Sequence, residues 1–110
     1  MEKYIPIKET SNATHLKVRT YYSLGGSNML TYTAERRGYY LSVSPVRRFK
    51  LDGGVEMESY VAFTGTKMLL KEVARKSKKA EAEAEQIAAE KMDDLVRYVC
   101  EENGLVLLDS

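Results

Sequence analysis

Lys17, Arg19 and Tyr21 alternate with Leu16, Val18 and Tyr22 in the stretch HLKVRTYY, residues 15–22. Successive side chains of a strand point to opposite faces. The alternation therefore predicts one face of His15, Lys17, Arg19 and Tyr21, and another of Leu16, Val18, Thr20 and Tyr22. Ammonium and guanidinium groups beside tyrosine rings suit an unpaired nucleic-acid strand, because cations neutralise phosphates and rings stack on bases. Two more basic groups fall at predicted turns: Arg36-Arg37, and Arg47-Arg48-Phe49-Lys50, where an aromatic stands among cations. Tyr40 and Tyr60 are further stacking candidates. Lys17, Arg19 and Tyr21 form the centre of the expected surface, and Arg36, Arg37, Arg47, Arg48 and Lys50 add phosphate contacts.

Other chemistry finds less support. One histidine, His15, is available to activate any serine, and no acidic residue is placed to orient it. The pairs Gly25-Gly26 and Gly53-Gly54 precede strands rather than a helix start, unlike phosphate-cradling loops. A single cysteine, Cys100, cannot form an intramolecular disulfide, and with one histidine it makes no zinc set. Glu56 and Glu58 share a strand face but lack a cleft or further ligands, and read as solvated edge residues. The expectation is a protein without catalytic residues, metal or cofactor.

The elements that must carry these residues change character along the chain. Up to about residue 64 the pattern has period two and is rich in Tyr, Val, Thr and Leu. Four main strands are predicted: Thr14–Leu24, Met29–Arg36, Tyr39–Ser44, stopped by Pro45, and Val55–Thr64 after the Asp52-Gly53-Gly54 turn. Tyr4–Ile7 adds a short edge piece. From Thr66 to Asn103 there is neither Gly nor Pro, and apolar residues recur at three and four, which predicts one long helix stopped by Asn103-Gly104. The fold class expected is α+β, a four-stranded antiparallel meander with the C-terminal helix on one face, as a single domain over residues 1–110. Leu16, Val18, Tyr22, Leu30, Tyr32, Leu41, Val43, Val55, Met57, Val61 and Phe63 form its predicted apolar strand face.

Charge is uneven. Residues 1–50 hold nine Lys or Arg against three Glu, a balance of +6, and residues 51–110 hold eight against thirteen acids, a balance of −5. A helix over 66–103 would be about 55 Å long, whereas strands of nine or ten residues cover about 30 Å. Its basic first half and acidic second half also oppose the helix dipole. The helix is therefore expected either to break near Ser77–Lys79 or to pair antiparallel with a second copy through Ala80, Ala84 and Ala88, giving a homodimer. No apolar run approaches the length of a membrane span, and the opening MEKYIPIKET lacks a signal-peptide pattern, so a cytoplasmic location is expected.

The stretches YIPIKET (4–10), AERRGYYLSVSPV (34–46) and SYVAFTGTKMLLKEVARKS (59–77) resemble a group of small uncharacterised proteins of bacterial genomes, mobile elements and phages. The resemblance implies a mobile-element setting and no assigned activity. In architecture, four strands and a helix are similar to the single-strand-binding modules of the Whirly, Pur-alpha and positive-cofactor-four families, without matching their motifs. The function expected is binding of single-stranded DNA or RNA. The competing expectation is a protein-protein interaction or assembly module of a mobile element or phage.

Overall fold

A computed structural model describes residues 1–28, 33–61 and 64–108. The chain is α+β, an antiparallel sheet followed by one C-terminal helix. The described strands are β1 (Glu2–Pro6), β2 (His15–Ser23), β3 (Gly26–Asn28), β4 (Thr33–Glu35), β5 (Gly38–Lys50), β6 (Glu56–Tyr60) and β7 (Thr66–Glu72), and the helix is α1 (Lys78–Asn103). There are more strands than the four expected. In the main sheet β1 pairs with β2 and β2 with β5, while β6 and β7 share the far side of β5. A separate short ladder joins β3 to β4.

Pro45 does not end its strand. On the far flank of β5 the ladder with β7 runs to Val43, and that with β6 starts at Val46. Pro45 lies between them, where a missing N–H interrupts no ladder on that flank. The basic arm Arg47–Lys50 is consequently strand, not loop, and pairs with Ser59, Glu58, Met57 and Glu56. Pro6 is tolerated for the usual reason, since β1 is an edge strand.

The predicted helix start is also corrected. Thr66–Glu72 pairs with the first half of β5, so sheet partners override a composition without Gly or Pro. Met68 is placed opposite Leu41, and Lys67 opposite Ser42 on the other face. The helix begins after Ser77, whose side chain accepts a hydrogen bond from the Ala80 N–H. It ends as expected: Gly104 is left-handed, with φ 63°, and its N–H donates to the Cys100 carbonyl.

Twenty-six residues make a helix of about 39 Å. That length lies within the 41 Å long axis of the molecule, so no overhang remains to demand a second helix. The alanines expected to face a partner instead pack on the chain's own sheet. Ala80 and Ala84 meet Tyr39, while Ala88, Val96 and Val99 close over Leu16, Val18, Leu41 and Val43. Each fully buried Leu or Val contributes about 1.5–3 kcal/mol. Cover ends where α1 ends. Val55 and Met57, expected in the core, are exposed, as are Phe49 and Leu51 on the same β5–β6 hairpin. Val61 is half-buried, and Leu30, Tyr32 and Phe63 lie outside the described residues.

Candidate nucleic-acid interface

Sheet alternation does place Lys17, Arg19 and Tyr21 on the face away from α1. Their neighbours there are Tyr4 from β1, Tyr40 and Arg48 from β5, Glu58 and Tyr60 from β6, and Lys67 from β7. The side chains fall into two clusters. In the first, the Glu58 carboxylate accepts from the Tyr4 hydroxyl at 2.6 Å and from the Lys17 ammonium at 3.2 Å. Lys17 also donates to the Tyr60 hydroxyl at 2.9 Å. The Arg48 guanidinium lies 4.0 Å from the Tyr4 ring centroid and pairs with Glu56 at 3.0 Å. Lys17 is left with 12% of its side chain exposed.

Glu58 is therefore not the solvated edge residue the sequence suggests; it anchors a network. Burial works against its charge, but the bonds from Tyr4 and Lys17 outweigh this and hold its carboxyl below the usual range. Lys17 is likewise penalised by burial, yet the Tyr60 and Glu58 bonds raise its pKa. The Tyr4 hydroxyl is pushed up, chiefly because Glu58 accepts its proton. Burial, aided by the charge of Arg48, pushes His15 down.

The second cluster is built around Tyr21 and Tyr40, stacked at 5.5 Å and 15°. Arg19 lies 4.8 Å from the Tyr21 ring centroid. Glu35, the last residue of β4, accepts from the Tyr21 hydroxyl at 3.0 Å and pairs with Lys67 at 3.5 Å. Tyr40 is 5% exposed, and its hydroxyl accepts from the Arg36 N–H, so it is not available to stack on a base. That corrects its assignment as a stacking candidate. Tyr60 is exposed but holds Lys17.

The remaining predicted residues lie apart from this face. Arg47 points to the helix side and binds Glu9 at 2.9 Å and the Thr10 carbonyl at 3.0 Å. Phe49 is exposed on the same hairpin as Lys50, also exposed. Arg36 and Arg37 stand at the opposite end of β5. There the Arg37 carbonyl accepts from the Val73 N–H, and Arg36 pairs at the surface with Glu72 at 3.5 Å.

Sequence reasoning missed what the fold brings to that opposite end. The β7–α1 turn carries Arg75 and Lys76, and the first helical residues are Lys78 and Lys79, all exposed. Tyrosine bonds fasten the turn to the sheet. The Tyr22 hydroxyl donates to the Val73 carbonyl and the Tyr39 hydroxyl to that of Ser77, both at 3.4 Å. Lys76 lies 5.6 Å from the Tyr22 ring centroid. Arg37, Arg75, Lys76, Lys78 and Lys79 form no salt bridge among the described residues. Ser77, followed by alanines at Ala80 and Ala84, was the signal for this corner: a cap before a small-residue stripe.

Among the described residues no group of three or more His, Cys, Asp or Glu is placed to hold a metal ion, and no helix is long and apolar enough to cross a membrane. No family model, curated protein or solved structure matches the chain.

Proposed function

We propose that this chain is a nucleic-acid-binding module without a catalytic role, and that it holds the phosphate backbone of a single strand at the end of the molecule where α1 begins. The observation that carries this reading is the distribution of unpaired cations. Lys17, Arg47, Arg48 and Lys67 each have a carboxylate partner. Lys3, Lys8, Arg19, Lys50 and Lys91 form no salt bridge among the described residues but lie scattered. Arg37, Arg75, Lys76 and Lys78, by contrast, gather at one end with no salt bridge among the described residues, beside Lys79, whose charge also acts on Glu83. Like charges assembled without partners repel one another and oppose the dipole of α1. A polyanion offsets both costs. A single strand is favoured because Tyr22, beside Lys76, offers a ring to an unstacked base.

The test is a fluorescence anisotropy titration with labelled single- and double-stranded oligonucleotides at two ionic strengths. Single strands should bind more tightly, and affinity should fall steeply with salt as phosphates release counterions. Absent or salt-insensitive binding would overturn the reading.

The β5–β6 hairpin favours a second reading, an assembly module. Phe49, Leu51, Val55 and Met57 expose 40–56% of their surface on one protruding hairpin. On this reading the chain self-associates through this apolar surface rather than through α1. Sedimentation at rising concentration should then show a mass above that of one chain, which Phe49→Asp abolishes.

A further inference from the structure

We infer that the cleft beneath Lys76 accepts one unpaired nucleobase carrying an exocyclic amino group, with the adjoining phosphate on Lys76. This rests on the nucleic-acid reading above and adds to it a site that discriminates bases. The cleft lies between the ends of β2 and β5 and the start of α1, and has a volume of 410 Å³. Ligand sites run from about 300 to about 1,000 Å³, so the space suits one nucleoside rather than a base pair.

Its walls divide the labour. Tyr22 and Tyr39 meet edge to face, with ring centroids 5.1 Å apart and planes at 66°. Tyr39 is buried, whereas Tyr22 is half-buried, so Tyr22 supplies the stacking surface. A base entering against that ring replaces the cation over it, and Lys76, on an exposed stem, turns outward to the phosphate. Two carboxylates from the first turns of α1, Glu81 and Glu85, close the cleft. Ionised carboxylates accept hydrogen bonds and donate none. Glu85 is already occupied by the Thr20 hydroxyl and the N-terminal ammonium. Glu81 is exposed and forms no salt bridge among the described residues, so its oxygens are open to a donor. Adenine, cytosine and guanine carry an exocyclic amino donor, whereas thymine and uracil lack one and offer a carboxylate only a ring N–H flanked by two carbonyl oxygens that it repels. With the acid at the base and the cations at the rim, the cleft favours the amino-bearing base without repelling the backbone.

The experiment is competition anisotropy on the full chain with oligo-dA, oligo-dC, oligo-dT and an abasic-spacer oligomer of equal length. Oligo-dA and oligo-dC should bind about tenfold more tightly than the abasic oligomer, the size expected for one stacked base. Oligo-dT should gain less. Tyr22→Leu should bring dA and dC down towards the abasic level, while Tyr22→Phe, which keeps the ring, should retain their advantage. Glu81→Ala should remove the preference for dA and dC over dT while raising affinity for dT. Equal binding of abasic and base-containing oligomers overturns the cleft assignment and leaves phosphate recognition intact. If no oligomer binds, the nucleic-acid reading falls, and the cleft assignment with it.

Discussion

Lys17 and Lys76 carry the same charge on the same scaffold, yet their surroundings are opposite. Lys17 lies on the sheet with most of its side chain covered, bonded to Glu58 and Tyr60. Lys76 stands at the β7–α1 turn over Tyr22, without a carboxylate. A cation paired inside a low-dielectric network has exchanged water for internal partners, and losing one partner strands the other. An exposed unpaired cation contributes little to the fold and keeps its charge available to a ligand. On the proposed reading, the sheet cluster serves stability and the helix-start corner serves binding.

The sharpest way to break this comparison is charge reversal at the corner. Lys76→Glu with Lys79→Glu should lower oligonucleotide affinity about 100-fold and reduce the slope of log K against log salt by about two, with the fold intact. Unchanged anisotropy curves would end the division of roles. The reciprocal change comes next. Lys17→Met should cost about 2 kcal/mol of unfolding free energy in urea, because Glu58 loses its counter-charge in a partly covered site. Adding Glu58→Leu should recover much of that loss, and oligonucleotide affinity should change little in either variant.

The pH dependence of stability sharpens the comparison further, since it reports on the sheet cluster. Glu58 and His15 have lowered folded pKa values, so their contributions are present above the unfolded values of about 4.3 and about 6.5 and are lost as pH falls through the folded ones. Tyr4 and Lys17 have raised values, so theirs are present below about 10 and lost as pH rises further. Burial also pushes the Cys100 thiol up, so its contribution is lost as pH rises above about 8.5, and the urea midpoint should be flat between about pH 6.5 and about pH 8.5 and fall on both sides. Lys17→Met should blunt the alkaline fall. The smallest effect expected has opposite signs for stability and binding. Lys78→Glu places an acid where the dipole of α1 favours one, and should add about 0.5 kcal/mol to stability while weakening oligonucleotide binding.

Much of the fold was legible because it rests on local rules. The two faces of His15–Ser23, the Gly53-Gly54 turn and the Gly104 helix stop each follow from side-chain alternation or from glycine reaching positive φ. Thr66–Glu72 was misread because TKMLLKE suits helix and strand alike, and only the partner β5 decides between them. Gly38 shows the same dependence. A Cβ there would run into the Lys71 carbonyl oxygen of β7, a demand invisible until β7 is a strand. Within the candidate site, the alternation placed Lys17, Arg19 and Tyr21 on one face correctly. That Glu58, 41 residues along the chain, would neutralise Lys17 depended on the register of β6 and β2 across β5.

By itself the amino-acid sequence determined which residues alternate, where glycine turns the chain, where α1 stops, and that the first half of the chain is basic and the second acidic. Those properties need only neighbours a few residues away. Tertiary structure alone decided which cations are spent on carboxylates and which remain open, because pairing depends on contacts between strands far apart in the chain. It also gathered Arg37, Arg75, Lys76, Lys78 and Lys79 at one end, as β7 returns along β5 and hands the chain to α1 beside the Arg36-Arg37 turn.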